Sequence, residues 1–227
     1  MQAFLELLKA VLFGIVEGIT EWLPVSSTGH MILLDEFIKL KVSPEFYEMF
    51  QVVIQLGAIG AVILLFFHKL NPFSPKKTAA EKKGTWVLWS KVLVASIPAA
   101  VAGLALDDLI DGVLSTPVVI AAALIVYGIA FIIMESRKNH TAKVETVEDI
   151  TYKHAFGIGV FQMLALIPGT SRSGSTILGA MLLGCSRAAA AEFSFFMAIP
   201  TMLGASLLKV VKLFAEGVTV TAMEWGI

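Results

Sequence analysis

The chain alternates between apolar stretches and short polar breaks, and the lengths of those stretches predict its elements. Residues 3–23 are apolar apart from Glu6, Lys9, Glu17 and Glu21, and Pro24 stops them. Residues 29–38 form a second, shorter apolar piece. Residues 49–67 read as a clean membrane span and residues 86–106 as a span kinked at Pro98. Residues 118–134 read as a further clean span, with Pro117 at the helix start, where proline is well tolerated. Residues 154–167 are a short apolar piece ending at Pro168, residues 176–184 another, and residues 192–214 a span interrupted by Pro200. Residues 68–85, 107–116 and 135–153 are polar connections, and residues 215–227 predict no element.

The pattern repeats. Gly14-Ile-Val-Glu17-Gly-Ile-Thr-Glu21-Trp-Leu-Pro-Val-Ser-Ser-Thr-Gly29 aligns at one fixed offset with Gly159-Val-Phe-Gln162-Met-Leu-Ala-Leu166-Ile-Pro-Gly-Thr-Ser-Arg-Ser-Gly174. Glu17 meets Gln162, Ser26 meets Ser171, Thr28 meets Ser173 and Gly29 meets Gly174, with Pro24 and Pro168 one place apart. Each copy is a short apolar helix, a proline break, a Ser/Thr/Gly loop and a second short helix. Interrupted segments in corresponding halves point to a binding site built from inverted repeats near the bilayer midplane. Polar loops at that depth are tolerated where they line a cavity, so both hairpins read as re-entrant, the alternative being that each first helix crosses fully and both loops lie outside. An odd number of spans, three, separates them, so the second enters from the opposite face. The expected fold is one all-α membrane domain over residues 1–227, with repeat one at about 1–134 and repeat two at about 153–227.

Composition agrees with this pattern. The chain is 57% hydrophobic and 15% charged, against roughly 45–50% and about 25% in soluble domains. Its mean hydropathy is +0.82. The net charge of −1 says nothing about nucleic acid, but the sequence shows no basic face or RNA-binding motif, so no nucleic-acid partner is expected. The single cysteine, Cys185, excludes an internal disulfide and reads as a small packing residue. The N-terminus has neither a basic n-region nor a cleavage site, so the first apolar segment is expected to stay in the protein. Lys69, Lys76, Lys77, Lys82 and Lys83 against Glu81 put the 68–85 connection on the cytoplasmic side, and two intervening spans put 135–153 there as well.

The chemistry-bearing residues gather in the two hairpins. Glu17 and Glu21, four apart, share one helical face. Carboxylates inside hydrocarbon are costly, so a cation or proton is expected to neutralise them, and paired oxygens suit Mg²⁺ or Ca²⁺. Otherwise they are solvated acids at an interfacial helix end. Ser26, Ser27, Thr28 and Gly29 at the start of the following helix offer hydroxyls and backbone N–H groups to an anion. His30 beside them supplies a tunable acid, base or nucleophile. In the second loop Arg172 stands among Thr170, Ser171, Ser173 and Gly174. Its fork of donors matches phosphate oxygens, and pairing with Glu17 or Glu21 is compatible with that role. The set suits phosphoryl transfer from a lipid phosphate, where positioning and charge stabilisation dominate. A membrane transporter or flippase of a phosphorylated polyprenyl lipid is the competing function, although translocation needs no nucleophile. Asp107-Asp108-Leu-Ile-Asp111 imitates a prenyl-diphosphate metal motif. Occurring once, in a membrane chain, it reads as an interfacial turn with capping aspartates.

Glu17-Gly-Ile-Thr-Glu21-Trp-Leu-Pro-Val-Ser-Ser-Thr-Gly-His30 and Pro168-Gly-Thr-Ser-Arg-Ser-Gly174 closely resemble the two signature motifs of the bacitracin-resistance family of undecaprenyl-diphosphate phosphatases. Val53-Ile-Gln-Leu-Gly-Ala58 and Glu192-Phe-Ser-Phe-Phe-Met-Ala-Ile-Pro200 resemble family segments too, and the likeness runs to about Leu208. The resemblance implies hydrolysis of the terminal phosphate of undecaprenyl diphosphate to regenerate the carrier lipid for peptidoglycan synthesis. It implies a multi-pass enzyme of the bacterial plasma membrane, open to the periplasmic side, with a homodimer left open. It implies metal-binding or acid/base roles for Glu17 and Glu21, phosphate-loop hydroxyls at Ser26, Ser27 and Thr28, and a phosphate clamp of Arg172 with Ser171 and Ser173. His30 is implied as nucleophile or general acid. The attacking group stays open between His30, Ser27 and a metal-bound water. Family members continue with two further membrane segments beyond the position of Ile227. The second repeat is therefore expected to be incomplete, with wall closure and stability affected before the chemistry.

Overall fold

A computed structural model describes residues 2–109, 116–136, 142–215 and 217–227. Among them the regular structure is helical, with no strand beyond one isolated bridge between Val144 and Cys185. In chain order the helices are α1 (Gln2–Thr20), α2 (Ser27–Phe37), α3 (Pro44–Val53), α4 (Leu56–Leu65), α5 (Phe67–Leu70), α6 (Ala79–Leu109), α7 (Pro117–Ser136), α8 (Tyr152–Gln162), α9 (Arg172–Leu182) and α10 (Arg187–Ala215).

Among the described residues three helical runs are long and apolar enough to cross a bilayer: Pro44–Leu65 with 22 residues, Ala79–Leu106 with 28 and Arg187–Ala215 with 29. Spanning takes about 20 residues. Val118–Met134 is apolar but shorter. The first run starts earlier than its apolar core suggests, because Ser43 caps α3 through the Phe46 N–H and Pro44 fits its first turn. α6 also starts early and takes Lys82 and Lys83 out of the expected loop. Thr78 and Glu81 close a reciprocal cap there, with Thr78 N–H donating to Glu81 at 2.7 Å and Glu81 N–H to Thr78 Oγ1 at 3.3 Å. α10 runs on through Pro200 where an interruption was expected, and α6 runs through Pro98. Packing against neighbouring helices tolerates the missing N–H in each. At its far end α6 continues through Asp107 and Asp108 to Leu109, while Asp111 lies outside the described residues.

α1 has a membrane helix's distribution of faces. Phe4, Leu8, Val11, Ile15 and Ile19 are exposed, whereas Glu6, Ala10, Phe13 and Glu17 are buried. An apolar outer face with acids turned inward is the reverse of a soluble helix. Glu6 is satisfied by Lys9 at 2.9 Å and by the Lys41 N–H at 3.0 Å. Two apolar clusters hold the structure. One joins α6, α8, α9 and α10 around Val92, Ala95, Ile158, Phe193, Phe196 and Met197, all at 0% exposure. The other joins α1, α2 and α3 around Phe13, Met31, Phe46 and Phe50. α8 lies so close to α6 that a Cβ on Gly159 would collide with the Ala95 carbonyl. Lys69 binds Glu148 and Glu192, each at 2.8 Å, and so brings the two polar connections expected on the cytoplasmic face to one side. Burial works against the Lys69 charge, but the two carboxylates outweigh it and raise its pKa. The tail is more ordered than its sequence suggests, for Glu224 accepts the Ser43 N–H at 2.9 Å.

Candidate active site

Both hairpins break and restart their helices in the same way. In the first, Ser26 caps α2 by accepting the Gly29 N–H at 3.2 Å. In the second, Ser171 caps α9 by accepting the Gly174 N–H at 3.0 Å. One residue further on, a side chain returns to the cap carbonyl in each copy: His30 Nδ1 lies 2.8 Å from Ser26 O, and Ser175 Oγ donates to Ser171 O at 2.9 Å. The repeat seen in sequence is therefore a repeat of hydrogen bonds. A carbonyl only accepts, so Nδ1 is the donor in this contact, and the neutral ring in this tautomer has its lone pair on Nε2.

The two copies meet on Glu21. Ser27 and Arg172 occupy equivalent positions, each the first residue of its helix. Ser27 Oγ donates in a short hydrogen bond to Glu21 Oε2, and Arg172 Nη2 donates to Glu21 Oε1 at 2.7 Å. Ser173 Oγ reaches across to Leu23 O at 3.2 Å, and Trp22 packs edge-on against Phe195 at 4.9 Å between ring centres. Glu21 thus lies where the N-termini of α2 and α9 converge, the electrostatic setting that favours an anion.

Glu17 differs from Glu21. It is 1% exposed, and its Oε1 has no hydrogen-bond partner. Its repeat-equivalent Gln162 is also 1% exposed with an unpartnered Oε1, while its Nε2 reaches Thr201 at 3.5 Å. An unpartnered buried carboxylate oxygen is expensive and fits a cation or proton supplied from outside the protein. Among the described residues no third Asp, Glu, His or Cys joins the two glutamates.

Of the residues expected from sequence, Glu21, Ser27 and Arg172 form one bonded cluster, and Ser173 joins the two hairpins beside it through Leu23 O. Ser26, Gly29, Ser171 and Gly174 form the caps beneath it, and Ser171 Oγ lies 3.2 Å from Ser173 Oγ. Thr170 is buried beside the second loop, its N–H donating to Ile167 O at 3.0 Å, and Thr28 stands half-buried in the first turn of α2. His30 is held within its own hairpin and makes no hydrogen bond to the Glu21–Arg172 pair. Gly169 takes φ +87° beneath Arg172, and a side chain there would strike the Ile120 backbone, so this turn needs glycine. Sequence reasoning missed Thr176 and Ser194, both at 0% exposure. Ser194 O accepts from Arg172 Nη1 at 2.9 Å, and the Ser194 and Thr176 hydroxyls are 2.6 Å apart.

Residues 10–227 match the family described as Bacitracin resistance protein BacA. The chain is 62% identical over 222 residues to an undecaprenyl-diphosphatase of Enterococcus faecalis, covering 97% of this chain and 80% of that protein. It is 58% identical over 221 residues to one of Lactiplantibacillus plantarum, with the same coverage of each chain. An undecaprenyl-diphosphatase of Acetivibrio thermocellus is 60% identical over 209 residues, covering 92% of this chain and 77% of that protein. With both hairpins inside these matches and their loops joined on one glutamate, the chain belongs to the Bacitracin resistance protein BacA family.

Proposed function

We propose that this chain hydrolyses undecaprenyl diphosphate to undecaprenyl phosphate and inorganic phosphate in the bacterial plasma membrane, with its site open to the periplasmic side. This recycles the lipid carrier for peptidoglycan synthesis and confers bacitracin resistance. The observation that carries the reading is the position of Glu21, a carboxylate gripped by the first residues of two converging helices. A cradle that holds one oxyanion this way has the donors to hold a phosphate group. The relatives' shared name supplies the lipid diphosphate. The hairpins are read as re-entrant from opposite faces, which brings both loops to one depth.

Arg172 and the free N–H groups of both helix starts take the charge of the terminal phosphate. Attack on the terminal phosphorus forms one new bond there while the bond to the bridging oxygen breaks, releasing undecaprenyl phosphate. With His30 Nε2 or Ser27 Oγ as nucleophile, water then displaces the phosphoryl group, and in direct attack water does so in one step. Glu21 accepts the Ser27 proton in the serine route. Acid quench separates the routes, because a phosphohistidine is lost in acid and a phosphoserine survives. Glu17 and Glu21 would hold Mg²⁺ or Ca²⁺, Glu17 through its unpartnered Oε1. Such an ion would neutralise diphosphate charge.

Phosphate release from undecaprenyl diphosphate by purified protein in detergent tests the reading. Binding without release, with Mg²⁺ and Ca²⁺ supplied, would leave a lipid transporter. Arg172→Lys is expected to lower kcat about a hundredfold, because an ammonium cannot keep Glu21, α10 and phosphate on one planar fork.

A further inference from the structure

Arg172 has two anchors. Nη2 is held by Glu21 at 2.7 Å and Nη1 by the Ser194 carbonyl at 2.9 Å, with the Ser194 hydroxyl at 3.5 Å. Nε is buried and has no partner. Substrate phosphate competes for the first anchor, because Glu21 sits in the cradle. The second, on α10, lies outside the anion cradle.

The hydroxyls around that second anchor form a directed chain. Thr176 Oγ1 lies 3.0 Å from Arg172 O and 3.2 Å from Ser173 O, and both carbonyls accept, so its one proton points into α9. Across the 2.6 Å contact, the arrangement that gives both hydroxyl protons an acceptor makes Ser194 the donor and Thr176 the acceptor. That turns the Ser194 lone pairs toward Arg172 Nη1. Every proton is used, and both hydroxyls are at 0% exposure, so no water substitutes for either.

We propose that Ser194, oriented by Thr176, is a positioning residue for the reaction: it holds the Arg172 guanidinium against α10 so that Nε–H and the Nη2 edge stay aimed at the phosphate when Glu21 lets go. The inference rests on the phosphatase reading. It predicts that losing the Ser194 hydroxyl matters because of the arginine, and that the loss falls on kcat rather than KM.

The test is a double-mutant cycle on undecaprenyl diphosphate hydrolysis, with thermal midpoints recorded in detergent. Ser194→Ala is expected to lower kcat about fivefold in the wild-type background, less than a full charged hydrogen bond because the contact is 3.5 Å and the bond to the Ser194 carbonyl remains, with KM changed less than twofold. In an Arg172→Lys background the same substitution is expected to change kcat less than twofold. Thr176→Ser keeps the relay hydroxyl and is expected to retain activity, while Thr176→Val is expected to match Ser194→Ala. Equal losses in both arginine backgrounds would show a purely structural serine and overturn the proposal, as would full activity in Ser194→Ala. If Ser194→Ala does not accumulate in membranes, Thr176→Val carries the same cycle with the same two outcomes. Wild-type protein that releases no phosphate removes the phosphatase reading and the inference with it. An active wild type with an indifferent Ser194 removes the inference alone.

Discussion

The two hairpins share a backbone plan and differ in what they place on it. Each has a serine cap on the third residue of its helix and a side chain returning to the cap carbonyl. At that returning position the first copy has His30 and the second has Ser175. At the helix start the first has Ser27 and the second Arg172. Just past the end of α1, Glu21 has Leu166 as its counterpart. One copy therefore holds the glutamates, Ser27 and the histidine, and the other holds the fixed positive charge. A single hairpin has half a site, and Glu21 joins the halves.

The sharpest way to break that division is to treat the returning residues alike. His30→Ala is expected to reduce phosphate release about a thousandfold, as for loss of a nucleophile or general acid–base group. Ser175→Ala removes bonds to Ser171 O and to Tyr127 at 3.0 Å, contacts within the scaffold. It is expected to stay within about threefold of wild type, the worth of a neutral hydrogen bond at most. Equal losses at the two positions would show that both copies contribute only scaffolding there.

Much of this was legible before any coordinates. Pro24 and Pro168 mark the breaks, and the Ser-x-x-Gly spacing marks the two caps because a cap bond has a fixed reach. Joining Arg172 to Glu21 rather than Glu17 was not legible, since both acids lie on one helix face and the loops' approach decides between them. Ser194 lies in an apolar helix 22 residues after Arg172, where a serine carries no local signal. The early start of α6 was legible in Thr78 and Glu81, but the lysines that follow read as a loop. Helical membrane ends carry positive charge as readily as connections do.

The first helices of the hairpins differ in how tightly they are packed. Gly14 and Gly159 are equivalent, yet a Cβ on Gly14 meets Ile54 Cδ1 at 3.7 Å, an ordinary contact, whereas one on Gly159 strikes the Ala95 backbone. Gly159→Ala is expected to destabilise the protein by about 3 kcal/mol through overpacking, and Gly14→Ala by less than about 0.5 kcal/mol. Thermal unfolding in detergent distinguishes them. Matching midpoints would mean that α8 can move away from α6 without cost.

Glu17 and Gln162 are isosteric and equivalent, each buried with one unpartnered oxygen. Glu17→Gln makes the first copy like the second at this point and removes a charge without removing volume. It is expected to lower activity about tenfold and to abolish relief of chelator inhibition by Mg²⁺ or Ca²⁺, since a neutral amide is the poorer ligand for a hard cation. Unchanged cation dependence in this variant would take Glu17 out of the metal role.

The smallest difference lies in the caps themselves. Ser26 holds φ +63° and ψ +93°, whereas Ser171 is extended at φ −67° and ψ +124°. A non-glycine residue at positive φ costs about 1 kcal/mol, and a serine cap replaced by glycine loses only a few tenths of a kcal/mol. At Ser26 the two effects oppose each other, so Ser26→Gly is expected to leave the thermal midpoint unchanged or slightly raised. At Ser171 nothing is relieved. Ser171→Gly loses the cap bond and the contact with Ser173, and it frees the unfolded chain. It is expected to destabilise by about 1 kcal/mol, and opposite signs at equivalent positions would locate the strain in the histidine-bearing loop. Equal falls in both midpoints would instead mean that the Ser26 conformation carries no strain. The first loop would then differ from the second in its side chains alone.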